Sequence, residues 1–549
     1  MTARTSSSRR KLVFAILIPV LAFLSLGAWS VASPVGATPD DDFHLASIWC
    51  GLGDRPGLCE NRDDDAVKRY VPTPVTTATC YAFHNGESAD CWNGEDDGMS
   101  KVKRANVDRL YPPLFYGTMS VFASTNVAAS VMVMKLVNTA IAVGLLTGVF
   151  FALPRRLRPA LVISVAATAV PLGMFIYGST NPSSWALLSA ATVWISLYGA
   201  FQVDGRRRWV LAGLAVLGAV MGGGARADSA VYAVFGALLA VFLVVRRKRM
   251  PLVPLLAAAI IVVISVAFYL SAWQGASIVG GLDSERPPLS GSLHVSNLLS
   301  APSLWMGALG GWGLGWLDTP MPAAVSVLAG AVFWGAFFIG GGRASVRRGI
   351  AIGLGVAAMW LVPVVLLAQS RMLVGELIQP RYLMPLMIIT IGVASVRLDI
   401  ARAWRGFRSI AAVVALAVAN VVALHTNIQR YTTGLDQFSA DPGANAEWWW
   451  AWAPSPVVVW LGGGLAFAAV LTLLVLLLPA GEVIADHEQR SFATAGGEPS
   501  ESAAAPAVAE SRPDETVAKS RAGGGEGALA GHEDAVRGDH VVATEGTTQ

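Results

Sequence analysis

Long apolar runs separated by short polar connectors fill the chain from residue 12 to residue 479. Many of the runs are about 20 residues long, the length a helix rising 1.5 Å per residue needs to cross roughly 30 Å of hydrocarbon. Basic clusters fall on alternate connectors, at 154–158, 206–208, 246–249, 343–348 and 397–408. That alternation is the positive-inside pattern of a bundle threading up and down through a bilayer. The pattern predicts an all-α, polytopic transmembrane helical bundle of about 12 spans, an even number that leaves both termini in the cytosol.

The first run, from Leu12 to about Val31, follows Arg9, Arg10 and Lys11. The small residues of VASPVGA would suit signal-peptide cleavage, but about 20 apolar residues fit an uncleaved span better. The chain then divides into a cytosolic N-terminus (1–11), a first transmembrane helix (12–33) and an extracytoplasmic loop with an interfacial segment (34–127). A multi-span domain (128–479) with external loops near 274–320 and 426–456 precedes a tail (480–549). The tail is rich in Ala, Gly, Glu and Ser and is expected to be a disordered cytosolic segment.

Composition narrows the class further. The chain is 54% hydrophobic and 14% charged, with a mean hydropathy of +0.54, which excludes an ordinary soluble domain. The net charge of +3 conceals two acidic regions: the tail carries 5 Lys/Arg against 13 Asp/Glu, and residues 34–110 carry 8 against 14. The positive charge therefore sits in the connectors, where it sets orientation and gives no reason to expect a nucleic-acid partner.

All four cysteines, Cys50, Cys59, Cys80 and Cys91, lie in the first external loop. An extracytoplasmic cluster favours disulfides over zinc, and the spacings lack a C-x-x-C knuckle. Three pairings are possible. The simplest joins Cys50 to Cys59 and Cys80 to Cys91, stiffening a polar loop with little apolar core of its own.

The unusual polar residues gather at the external helix ends and loops: Asp40, Asp41, Asp42, His44, Asn181, Arg226, Asp228, Asp318, Gln379 and Arg381. Carboxylates and arginines on one membrane face suit an enzyme acting on a lipid phosphate. Arginine pairs bidentately with phosphate, and a carboxylate accepts a proton from an attacking hydroxyl. Each residue also has a structural reading. The aspartates at 40–42 would cap a helix, His44 would be a satisfied core histidine, Arg226 would pair with Asp228, Asp318 would cap the following helix and Arg381 would snorkel. The acidic runs at 63–65 and 95–97 read as solvated surface, and Trp448, Trp449, Trp450 and Trp452 as an interfacial belt, with a sugar platform the weaker alternative. Lys135 stands apart as an ionisable residue inside an apolar run.

Four short motifs occur in order: PDDDFH at 39–44, YPPLFY at 111–116, GLGWLDTPMP at 313–322 and QPRYLMP at 379–385. Together they resemble a bacterial family of polytopic membrane proteins of unknown function, whose pattern is P-D-E-x-x-H, P-P-x-x-Y, G-W-L-D-T-x-x-P and G-R-Y-x-x-P. The chain departs from it at Asp41, where the pattern has Glu, and at Pro380, where it has Gly. That family is similar to the GT-C glycosyltransferases, which use polyprenyl-phosphate sugars outside the bacterial cytoplasmic membrane.

The resemblance implies a GT-C-like bundle and an inverting sugar transfer from a polyprenyl-phosphate donor to a cell-envelope glycan or lipid acceptor. Asp40 or Asp41 would be the general base, and Arg381, helped by Arg226, would neutralise the departing phosphate. His44, Asp318, Gln379 and Tyr382 would complete the substrate site. No metal-ligand set is expected, although a divalent cation stays open, and no nucleotide-phosphate loop is present. Two other classes compete: a transporter or flippase of a lipid-linked saccharide, which would place its ionisable groups near the midplane, and a non-catalytic envelope-assembly protein with scattered, mutually neutralised charges.

Overall fold

The computed structural model describes residues 2–62, 68–102, 104–245, 250–275, 286–397 and 399–478, with side chains from residue 13 onward. The acidic run at 63–65, the basic cluster at 246–249, residues 276–285 of the second external segment and the acidic tail from residue 480 lie outside them. Helix α1 (Thr2–Val31) ends in an irregular turn that leads to α2 (Asp41–Trp49). A cap between α2 and α5 follows, made of β1 (Tyr70–Pro72), α3 (Thr73–Thr77), β2 (Met99–Lys101) and α4 (Leu114–Ser120). The two strands pair antiparallel, with Tyr70 opposite Lys101. Disulfides join Cys50 to Cys59 and Cys80 to Cys91, the simplest of the three possible pairings.

The bundle continues through α5 (Val127–Ala152), α6 (Arg158–Ala166), α7 (Leu172–Tyr177), α8 (Ser183–Ala200), α9 (Gly205–Ala225), α10 (Ala227–Val244) and α11 (Leu252–Leu270). Short helices α12 (Gly291–Ser300) and α13 (Pro302–Met306) precede α14 (Ala323–Gly341), α15 (Val346–Gln369) and α16 (Pro380–Ala394). A short α17 (Ile400–Ala403) leads to α18 (Phe407–Thr432) and α19 (Pro456–Leu477). Helix α1 packs against α5 and α19, α8 against α9, α10 and α16, and α14 against α18.

Among the described residues nine helices are long and apolar enough to cross a membrane: α1, α5, α9, α10, α11, α14, α15, α18 and α19. The hydropathy pattern led us to expect about 12. Three stretches account for the difference. Helix α8 is buried along almost its whole length and carries Ser183, Ser184, Ser189, Thr192 and Ser196 in its interior. A helix surrounded by other helices needs no apolar surface toward lipid, so polar side chains can lower its hydropathy. Helix α16, also almost wholly buried, has 15 residues, which is about 22 Å and short of a full hydrocarbon crossing. The run at 161–177, expected as one span, is broken between α6 and α7.

Helix α18 runs on to Thr432, beyond the expected end near His425. Its last turns carry His425, Asn427, Gln429 and Arg430, all buried. The tryptophan run likewise departs from a simple lipid-facing belt. Trp448 and Trp450 are buried, and only Trp452, 60% exposed, projects from the fold.

Candidate functional site

The segment between α1 and α2 has no regular structure, yet each of its carbonyls is caught by a donor. Trp450 Nε1 donates to Val31 O (2.9 Å), Asn427 Nδ2 to Ala32 O (3.0 Å), and Lys135 Nζ to Ser33 O (2.8 Å) and Pro34 O (3.0 Å). The hydroxyl of Tyr81 donates to Val35 O (2.5 Å), Trp316 Nε1 to Gly36 O (2.9 Å), the Tyr431 hydroxyl to Ala37 O (3.4 Å) and Asn181 Nδ2 to Pro39 O (2.9 Å). Backbone amides complete the set, Asp41 N–H on Thr38 O and His44 N–H on Asp40 O. Unpaired backbone groups in a buried site cost free energy, so this pairing is what allows an irregular turn to stand here. The donors come from five different parts of the chain and fix the turn from several sides. At its centre Gly36 has φ +82°, and a Cβ there would lie 2.1 Å from Ala78 O, so only glycine fits.

The turn ends at Asp40, which caps α2 in a left-handed conformation (φ 60°). Aspartate is one of the few residues that tolerates this region, and strain of this kind collects at functional sites. The carboxylate, 28% exposed, receives Arg381 Nη2 on Oδ2 at 2.6 Å. Oδ1 takes no hydrogen bond from any described residue. Burial would raise the Asp40 pKa, but the guanidinium of Arg381, with smaller contributions from Arg104 and Arg226, outweighs it and leaves the carboxyl below its usual range.

Asp41 has the opposite surroundings. It is 1% exposed and turned into the protein, where Oδ2 accepts Thr38 N–H (3.0 Å) and Oδ1 meets Thr180 Oγ1 (3.5 Å). Burial dominates there and raises its pKa, against the pull of Thr38 and Lys135. Asp42 lies on the surface in a bridge to Arg104 (3.1 Å).

Around Asp40 the motifs converge. Arg381, 3% exposed at the start of α16, also donates to the Tyr382 hydroxyl at 3.1 Å. The Tyr382 ring is held between two guanidinium groups, Arg381 at 4.8 Å and Arg226 at 4.7 Å from its centroid. Arg226 occupies the single extended residue between α9 and α10 (φ −151°, ψ 137°) and is gripped by Asp228 through Nε–Oδ1 (2.9 Å) and Nη2–Oδ2 (2.7 Å). Gly224, two residues earlier, admits Leu114 of α4 where a Cβ would lie 2.5 Å away, which seats the YPPLFY motif beside Arg226. From that motif Tyr111 lies 5.5 Å from the Arg226 guanidinium, and the Tyr116 hydroxyl meets His44 Nδ1 at 2.9 Å. Burial presses the His44 pKa down to about 3, which keeps the ring neutral. Three nitrogens in the cluster, Arg226 Nη1, Arg381 Nε and His44 Nε2, are buried with no partner among the described residues. Buried donors left in this way are costly and mark places where a ligand group can complete the bonding.

Two further expected site residues make structural contacts. Asp318 accepts Arg430 Nη2 at 2.9 Å and the Phe83 amide at 3.1 Å. Arg430, fully buried, also donates to the carbonyls of Tyr81, His84 and Glu87. The third motif therefore ties the disulfide-closed loop at 80–91 to α18 and, through Trp316, supports the turn from outside. Gln379 is the N-cap residue of α16, and its carbonyl accepts the Tyr382 amide. The sequence singled out Arg226 and Asp228 but left open whether they pair; it assigned nothing to Tyr81, Asn427 or Arg430. The available signal was the run of polar residues in the last turns of an otherwise apolar helix. Among the described residues no group of three or more His, Cys, Asp or Glu could hold a metal ion.

No curated protein and no solved structure matches the chain. Residues 23–390, which carry all four motifs and the whole Asp40 cluster, match the DUF2142 family of predicted membrane proteins, and the chain belongs to that family.

Proposed function

We propose that the protein is a membrane-embedded glycosyltransferase that moves a sugar from a polyprenyl-phosphate donor to a cell-envelope glycan or lipid acceptor at the extracytoplasmic face of a bacterial cytoplasmic membrane. The observation that carries this reading is the pairing of a partly exposed carboxylate, Asp40, with a buried arginine, Arg381, inside a turn held by distant side chains. Base and phosphate ligand must both reach one reacting centre, and here they touch. In this reading α8, α16 and the broken α6–α7 pair complete a twelve-pass, GT-C-like bundle with both termini cytosolic.

Asp40 takes the proton from the acceptor hydroxyl through its unengaged Oδ1. The hydroxyl oxygen bonds to the anomeric carbon while the bond from that carbon to the donor phosphate oxygen breaks on the opposite side, inverting the configuration. The departing polyprenyl phosphate carries the electron pair away, and Arg381 and Arg226 neutralise it with the donors that lack partners among the described residues. Arrival of the donor phosphate also changes Asp40. Once a phosphate shares the charge of Arg381, the influence that holds the Asp40 pKa down weakens, burial dominates, and the carboxylate becomes a better base. Neutral His44, with Nδ1 accepting from Tyr116, presents Nε2–H as a further donor. Asp41 and Asp318 act on the turn and not on the substrate.

The test is incubation of the purified protein in nanodiscs with radiolabelled polyprenyl-phosphate sugars and extracted envelope acceptors. The reading requires label in a new product. Export of an intact lipid-linked sugar across proteoliposomes without any transfer would replace it with the flippase alternative.

A further inference from the structure

Lys135 lies in α5, eight residues from Val127 and so about 12 Å of helix from that end. Its side chain is 1% exposed. An ammonium buried at this depth carries a large desolvation cost, and a hydrophobic residue of similar volume would fill the space without it. What the charge does is visible in its contacts. Two of its three N–H donors are spent on consecutive carbonyls, Ser33 O at 2.8 Å and Pro34 O at 3.0 Å, at the beginning of the turn that ends in Asp40.

Asp41, the residue after Asp40, accepts the Thr38 amide near the end of the same turn and lies within the electrostatic reach of Lys135. The two buried groups therefore bear on the turn at both ends, while Tyr81, Trp316, Tyr431 and Asn181 hold the carbonyls between them. Asp41 is also the immediate neighbour of Asp40: its side chain turns toward Thr38 and Thr180, while that of Asp40 meets Arg381. We propose that Lys135, acting through the carbonyls of Ser33 and Pro34 and through buried Asp41, is a positioning residue that holds Asp40 in register with Arg381. This rests on Asp40 being the working carboxylate of the site.

The test is carbodiimide labelling of Asp40, read by mass spectrometry on the full chain in nanodiscs. In the wild type the Arg381 contact protects the carboxylate. The Lys135→Met/Asp41→Asn double variant removes both buried charges together and should still fold, with a melting temperature lowered by the loss of the donor to Ser33 O and Pro34 O. Its Asp40 should nevertheless label about tenfold faster, the factor that corresponds to roughly 1.4 kcal/mol. Wild-type labelling in that folded variant overturns the proposal. If the double variant does not fold, Lys135→Met alone supplies the same readout, since Asp41 can balance itself by taking a proton.

Labelling needs no sugar transfer, so a wild-type chain that transfers nothing refutes the proposed function and leaves this result standing. Where transfer is found, Lys135→Met should lower kcat about 100-fold, the cost of a displacement near 1 Å, with KM changed less than about threefold. A rise in KM with kcat unchanged would contradict a positioning role.

Discussion

The assignment of Asp318 to support and not to substrate makes a quantitative prediction. Replacing Asp318 with Leu leaves the Arg430 guanidinium fully buried with its carbonyl partners but without a counter-charge, and strips the Phe83 amide of its acceptor. Breaking a buried ion pair from one side costs about 3–5 kcal/mol, and the side-chain exposures of the two partners, 0% and 5%, leave solvent little scope to reduce that figure. Arg430→Met should cost a similar amount, since it strands the carboxylate and the three carbonyls of the 80–91 loop. The double variant Asp318→Leu/Arg430→Met removes both charges and should be more stable than the sum of the single losses predicts, a coupling of at least about 2 kcal/mol in a double-mutant cycle, although the carbonyls and the Phe83 amide stay unpaired. The assay is thermal unfolding of the four proteins in nanodiscs, followed by reduction of the Cys80–Cys91 bridge, whose accessibility reports the loop. The double variant should also retain transfer activity. A double variant whose loss equals the sum of the single losses refutes the ion-pair account, and a stable double variant without activity would return Asp318 to the substrate site.

Other expectations follow from the same geometry. Gly36→Ala combines a left-handed backbone with a contact at 2.1 Å to Ala78 O, so the yield of monodisperse protein in size-exclusion chromatography should collapse; a normal yield would show that the turn is not fixed as described. Arg226→Lys keeps the charge but loses the planar fork that Asp228 grips, and should weaken binding of polyprenyl monophosphate about tenfold by titration, whereas unchanged affinity would remove Arg226 from the phosphate site. His44 is held neutral down to about pH 3 against an ordinary value of 6.5, so the unfolded chain takes up a proton between those values that the folded chain does not. Its contribution is therefore present above pH 6.5 and lost on acidification at about 1.4 kcal/mol per pH unit. Asp41, with its pKa raised by burial from 3.8 to about 6, works in the opposite sense between those two values. His44→Gln should accordingly lose less melting temperature than the wild type between pH 7 and pH 5, and equal losses would contradict a neutral His44.

The sequence made some parts of this molecule legible and hid others for physical reasons. Lipid-facing helices declare themselves because hydrocarbon demands apolar side chains, and the basic connectors give their order. Inner helices such as α8 and α16 escape that demand, and their serines and short length disguise them. The local cysteine pairs were readable because each bridge closes a loop of about ten residues, Cys50 to Cys59 and Cys80 to Cys91. The candidate site was half legible: Asp40, His44, Arg226 and Arg381 drew notice as charged or ionisable groups at helix ends. The partners that fix them did not, because Tyr81, Asn427 and Trp450 reach the turn at 31–40 across dozens to hundreds of residues, and no local periodicity encodes such a contact. Neighbouring aspartates were also indistinguishable in sequence. Only the fold shows that Asp40 faces Arg381 while Asp41 faces the interior.

The proposed function makes Asp40 the base of a sugar transfer at the Arg381 centre. Single-turnover transfer from a radiolabelled polyprenyl-phosphate sugar, comparing the wild type with Asp40→Asn in nanodiscs, tests it most directly. Loss of a general base predicts a fall of about 10²–10⁴-fold in rate, with donor binding and melting temperature retained. Wild-type transfer by a folded Asp40→Asn protein would contradict the claim.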